Sequence, residues 1–186
     1  MKRPLLTVAA ILAPTMALAH PGHGTGFAAG LMHPFTGADH LLAMIGVGLW
    51  AATLGSRARW ALPATFLTAM ALGGAVAMLS SLGILAAAVE PAILASVILL
   101  GAFVALALRA PLYTAIPMVA LFGLAHGAAH GIEMQGNGLA FGIAMLTSTA
   151  ILHGIGLAFG LTLNSKFARA SGLLALIAGF GLMLQG

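Results

Sequence analysis

The stretch His33-Pro34-Phe35-Thr36-Gly37-Ala38-Asp39-His40 runs directly into Leu41-Leu42-Ala43-Met44-Ile45-Gly46-Val47-Gly48-Leu49-Trp50. Two imidazoles and a carboxylate thus open an apolar run long enough to cross a bilayer. An Asp carried into hydrocarbon costs about 2.5–3.5 kcal/mol on insertion scales, so such residues usually face the interior of a helix bundle and do chemistry there. The same residue types return at His126, His130 and Glu133, and once more at His153. The expectation is that these groups meet and handle a divalent transition-metal ion.

Composition sets the class. The chain has 186 residues, 61% of them hydrophobic and 5% charged, with a mean hydropathy of +1.12. A soluble domain carries about 25% charged residues, so a water-facing surface cannot be built from this sequence. Several long apolar runs imply an all-α, multi-pass membrane protein in contact with the lipid bilayer, rather than a barrel. The formal charge of +4 does not indicate a nucleic-acid partner, because the seven Lys and Arg residues are scattered. Without Cys there is no disulfide framework, thiolate metal site or thiol redox chemistry. No nucleotide-binding motif is present, so ATP is not expected to drive this chain. Nothing in the sequence specifies an oligomeric state.

Met1-Lys2-Arg3 begins a segment with a short apolar middle and an Ala17-Leu18-Ala19 end. That is the pattern of a secretory signal peptide, with cleavage expected before His20. Residues 1–19 are therefore read as signal, 20–26 as a short His-bearing periplasmic leader, and 27–186 as a single six-helix transmembrane domain. The leader reads His20-Pro21-Gly22-His23-Gly24. Its terminal amine, His20 and His23 are candidate entrance ligands, although His-rich tracts are compositional hints only. Pro21 has no amide proton, so it cannot supply a deprotonated backbone nitrogen to a copper-type terminal site.

Six apolar runs follow, at about 27–54, 60–82, 86–108, 112–132, 138–163 and 168–185, of lengths that match membrane spans. Arg57 and Arg59, then Arg109, then Lys166 and Arg169 occupy alternate gaps, while Glu90 and Glu133 border the other two. The positive-inside bias puts the basic gaps in the cytoplasm and both mature termini in the periplasm. An exported signal requires the same orientation. On a continuous first helix, His40 lies about 12 Å below its start, and His126 about 9 Å from the end of its own helix. Both polar groups then share the outer leaflet, with His153 some 22 Å down the fifth run.

Helical phase supports convergence. His126 and His130 are four apart, and Glu133 is seven from His126, so the three share a stripe. His33 and His40 are also seven apart, although Pro34 disturbs the first turn. Gly123, Gly127 and Gly131 form an adjacent small-residue stripe, and Gly138/Gly142 and Gly156/Gly160 repeat the spacing. These are read as packing surfaces for close helix approach. Neutral imidazole suits Zn, Cu, Fe and Ni, and carboxylates compensate charge; Met44 and Met32 keep Cu(I) open. Three helices per half would make an inverted pair of transporter type, but no internal sequence match supports it.

The motif His33-Pro34-x-x-Gly37-x-Asp39-His40 followed by Leu41-Leu42-Ala43-Met44 resembles the signature of the HupE/UreJ family. His126-Gly127-x-x-His130-Gly131-x-Glu133 and His153-Gly154 fit the same family, and the resemblance covers essentially the whole chain. It implies a bacterial inner-membrane permease for nickel, in some members cobalt, supplying hydrogenase or urease maturation. It further implies metal-handling roles for His33, Asp39, His40, His126, His130 and Glu133, with His153 carried over as well. The transported Ni2+ or Co2+ is then cargo; no fixed cofactor and no catalytic residue are expected.

Two other readings compete. One is a membrane haem-b electron carrier with His axial ligands, against which no Arg lies near the candidate histidines to pair with propionates. The other is a metal-dependent intramembrane hydrolase with Glu133 as base, against which no His-Glu-x-x-His arrangement is found. The signal reading is tested by intact-mass analysis of the membrane-purified protein. A chain starting at His20 is expected, and one starting at Met1 contradicts cleavage.

Overall fold

The computed structural model of the chain describes residues 26–79, 83–133 and 138–185, the side chains of 83–86 and 133 apart. The expected signal segment and the leader histidines His20 and His23 lie outside the described residues. Among the described residues all regular structure is helical: α1 Phe27–Thr36, α2 Ala38–Leu54, α3 Ala58–Leu79, α4 Gly83–Ala105, α5 Leu112–Glu133, α6 Gly138–Thr162 and α7 Ser165–Met183. Five spans of sufficient length and apolarity fall in α3 to α7, and α1 with α2 make a sixth if the bent pair is one span.

The first span corrects the expectation of one continuous helix over 27–54. α1 and α2 meet at 83°. Pro34 has no N–H to return to the Gly30 carbonyl, which weakens the end of α1. Gly37 then adopts an extended backbone, φ −94 and ψ 118. Thr36 Oγ1 donates to the His33 carbonyl at 2.8 Å, satisfying an acceptor that the ending helix leaves open. The depth estimate for His40 falls with the continuous helix, because His40 is the third residue of α2.

α2 is the axis of the bundle. It touches each of the other six helices, and its middle, from Ala43 to Ala51, is apolar and largely buried, as in an enclosed helix. Met44, Val47, Leu49 and Trp50 pack in one core with Leu62, Phe66, Met70, Leu100, Val104, Val119 and Leu152. Around it the spans pair. α3 and α5 run side by side in the same direction, so that a methyl on Gly123, Gly127 or Gly131 would meet the carbonyl oxygen of Phe66, Met70 or Gly74. α2 and α6 are likewise parallel: a methyl on Gly156 would meet the Ile45 carbonyl, and one on Gly160 the Ala52 side chain. α4 and α7 are antiparallel, meeting at Gly101 and Gly172. The packing reading of these glycines thus holds for five of the stripes' members, Gly123, Gly127, Gly131, Gly156 and Gly160, whereas Gly142 has nothing within 4 Å.

The end of the bundle opposite the histidines is tied down by polar contacts. α4 finishes with Leu108 N donating to the Phe103 carbonyl at 2.8 Å and Ala107 N to the Val104 carbonyl at 3.1 Å, a Schellman-type cap. Ala107 occupies its left-handed position at φ 51. The Leu108 carbonyl accepts from Trp50 Nε1 at 3.1 Å, and the Ala105 carbonyl from Arg169 Nε at 2.8 Å. Arg57, Arg59, Arg109, Lys166 and Arg169 therefore collect at one end, while α2 begins and α5 finishes at the other.

The close approach of α3 and α5 can be tested directly. Gly127→Ala is expected to lower stability by about 1–3 kcal/mol through overpacking. Gly142→Ala, with open space around it, is expected to be neutral or slightly stabilising. Thermal unfolding in detergent separates the two.

Candidate metal centre

The break at Gly37 is what builds the site. On an uninterrupted helix, residues seven apart are offset by about 10.5 Å along the axis. Here the His33 and His40 rings lie edge to face with centroids 5.9 Å apart. The end of α5 supplies the third ring: His130 is 4.7 Å from His33 and 4.6 Å from His40. One nitrogen from each of His33, His40 and His130 can be chosen so that all lie within 4.8 Å of one another. Ligands at about 2.0–2.1 Å from a shared ion stand roughly 3.0–3.4 Å apart. Modest ring rotations would close that difference.

Hydrogen bonds fix two of the imidazoles. Asp39 Oδ1 lies 2.9 Å from His40 Nδ1; an ionised carboxylate only accepts, so Nδ1 carries the proton and Nε2 keeps its lone pair. His126 Nδ1 donates to the Phe122 carbonyl at 2.8 Å, which sets the same tautomer by the same logic. This is the outer support that metal-binding histidines ordinarily have. Asp39 thus stands behind His40 rather than among the three converging rings. Gly37 leaves room for this pair: a methyl on it would lie 2.9 Å from Asp39 Oδ1 and 3.2 Å from His40 Nδ1, so the Asp39 carboxylate would have to shift.

His40 Nε2, His126 Nε2 and both ring nitrogens of His130 and of His153 are buried without a hydrogen-bond partner. Leaving a buried polar atom unpaired costs about 1–3 kcal/mol, so such atoms call for a ligand. The surroundings suit a cation. His33 and His130 lie in the last turns of α1 and α5, where helix carbonyls present partial negative charge. The Lys and Arg residues of the described chain are at the far end of the bundle.

The rings form a descending series. His126 contacts His40 at 5.1 Å and Phe66 at 5.2 Å, and Phe66 contacts His153 at 5.0 Å. The structure therefore brings His33, His40, His126 and His130 together and sets His153 one aromatic ring beyond them. Glu133 closes α5, and its side chain is outside the described residues. Met44 is fully buried, while Met32 is 57% exposed and does not join it. Phe66, Met70 and Thr149 were not singled out by sequence. Thr149 carries a signal, lying one turn before His153 on α6; Phe66 and Met70 carry none, because only tertiary packing brings α3 to the histidines.

Residues 8–184 match the family profile described as HupE / UreJ protein. Over 185 residues the chain is 42% identical to Protein HupE of Rhizobium leguminosarum bv. viciae, covering 97% of this chain and 93% of that protein. The chain belongs to the HupE/UreJ family. The match to the HupE/UreJ profile spans both polar motifs and His153. No solved structure matches the chain.

The tautomers give a test of this HupE/UreJ site that requires no metal. Nitrogen-15 NMR of histidine-labelled protein at neutral pH is expected to show His40 and His126 protonated at Nδ1. Asp39→Ala is expected to release His40 from that form and leave His126 in it. A His40 spectrum unmoved by Asp39→Ala contradicts the assigned support.

Proposed function

We propose that this HupE/UreJ protein is an uptake permease of the bacterial inner membrane. Its cargo is a divalent transition-metal ion, Ni2+ foremost and Co2+ next, destined for metallocentre assembly in hydrogenase or urease. The observation that carries the reading is the set of buried imidazole nitrogens without hydrogen-bond partners around His40, His126 and His130, with three rings able to present nitrogens to one point. Membership of a transporter-type family associated with nickel and cobalt supports the direction of the chemistry.

In this reading His20 and His23 collect ions at the periplasmic mouth. His33, His40 and His130 replace part of the hydration shell, Asp39 orients His40 and adds a negative charge, and Glu133 adds a second at the end of α5. His126 and then His153 receive the ion on its way inward. The basic loops face the cytoplasm and the histidine end faces the periplasm. Three imidazoles leave coordination positions open, which matters because a closed cage binds structurally and transport needs sites that an ion can leave. Protonated imidazole does not ligate, so uptake falls as the periplasm is acidified below about pH 6.

Labelled nickel uptake in cells provides the test. His40→Ala and Glu133→Gln are each expected to lower the initial rate by at least about tenfold, the scale on which metal sites respond to lost support. Wild-type rates at normal membrane protein levels would remove these residues from the path.

A further inference from the structure

Below the imidazole cluster the donor chemistry changes. Met44 lies one turn past His40 on α2, and Thr149 one turn before His153 on α6, the two helices running in parallel. Thr149 Oγ1 is 3.3 Å from Met44 Sδ and 3.8 Å from Met70 Sδ. Two thioethers from different helices therefore face one hydroxyl. The exposures of Met44, Met70, Thr149 and His153 are 0%, 4%, 0% and 1%.

Thr149 departs from the habit of its neighbours. Thr147, Ser148 and Thr162 on the same helix donate to the carbonyl one turn back, the usual resting place of a helical hydroxyl. Thr149 turns to the sulfur atoms instead. Both ring nitrogens of His153, one turn further on, are buried and unpartnered. Met145 and Leu152 complete the buried face of α6, and Phe66 is packed between His126 and His153. No Asp, Glu, Lys or Arg is buried among the described residues of this layer.

We propose that Met44 Sδ, Met70 Sδ, Thr149 Oγ1 and a ring nitrogen of His153 form a second, inner metal station, which accepts thiophilic and borderline transition-metal ions and rejects hard ones. The assignment rests on the permease reading for its place in a path, and on its own geometry for its ligand class. Thioether and imidazole suit soft and borderline ions. Mg2+ demands oxygen ligands and gives up its water reluctantly. The station has no carboxylate to compensate charge, so a divalent ion binds it weakly and passes on. The outer cluster, with Asp39 beside it, captures; the inner layer discriminates.

Ag+ is a suitable probe because it takes thioether sulfur and is not the proposed cargo. The full chain is placed in nanodiscs, with His40→Ala added to disable the outer cluster, and Ag+ binding is followed by calorimetry. The near-isosteric pair Met44→Leu and Met70→Leu keeps core volume and is expected to weaken one Ag+ site at least tenfold. Unchanged Ag+ binding in the double variant overturns the station. In the otherwise wild-type chain the same pair is expected to leave outer-site Ni2+ affinity within about twofold and to lower labelled nickel uptake about tenfold, with Mg2+ becoming a more effective competitor. Uptake and Mg2+ sensitivity that stay at wild-type values overturn its role in discrimination. If the wild-type chain takes up no nickel while the Ag+ site responds to the methionine pair, the permease reading fails and the thioether site stands.

Discussion

The 83° break at Gly37 is the feature on which the site depends. A straight span would leave His33 a full two turns from His40 and present them at different depths. Ending α1 early and restarting the chain as α2 folds one ring over the other, and the end of α5 brings His130 against both. Non-helical backbone at membrane depth is tolerated only where its polar groups are satisfied or line a functional cavity. Here Thr36 bonds back to His33, and the Gly37 carbonyl receives the Leu41 amide at 3.0 Å. The break therefore keeps these two carbonyls satisfied while concentrating side-chain nitrogen.

The second organising fact is the polarity of the bundle. Every described Lys and Arg sits at the end where Trp50 and Arg169 close the loops after α4. The carboxylate that contacts a histidine, Asp39, sits at the other. Between the ends there is a gradient of donors, from imidazole backed by carboxylate, through imidazole backed by carbonyl, to thioether, hydroxyl and an unsupported imidazole. Charge lies at the ends of the bundle and no Asp, Glu, Lys or Arg is buried in its middle. Under the proposed permease role, such an order suits a site that must take an ion from water and then let go of it.

Much of this was legible in the sequence, for identifiable reasons. Long apolar runs give the ends of the five spans α3 to α7 to within a few residues, because bilayer thickness constrains length, and six spans only if the bent pair α1 and α2 is one. The i, i+4 spacing of His126 and His130 correctly puts both rings on one buried face. The break at Gly37 was only half visible: Pro34 announced a disturbed turn, but the extended conformation at Gly37 and the angle follow from packing of α1 on α6. Asp39 was expected to share the site with the histidines. It lies beside them, bonded to His40 Nδ1, a contact set by rotamer and not by spacing. Phe66 and Met70 were invisible, since nothing in α3 hints that it lies along α5.

The pairings explain how a site drawn from distant segments keeps its geometry. α2 with α6 carries His40, Thr149 and His153; α5 with α3 carries His126, His130, Phe66 and Met70. Both pairs are parallel and both approach through glycines that admit no methyl. Exchanging the first three spans for the last three maps α2–α6 onto α5–α3 and returns α4–α7 to itself, which is the pairing an inverted repeat requires. Each pair is thus a tightly packed body whose internal geometry is fixed by backbone contact. The histidines and the methionine layer lie on the surfaces where one body faces the other. His33, riding on α6 through the contact of Gly30 with Phe141, belongs to the first body, and His130 to the second. The imidazole cluster is consequently a seam between two helix pairs, which touch each other less closely than the helices within each pair do.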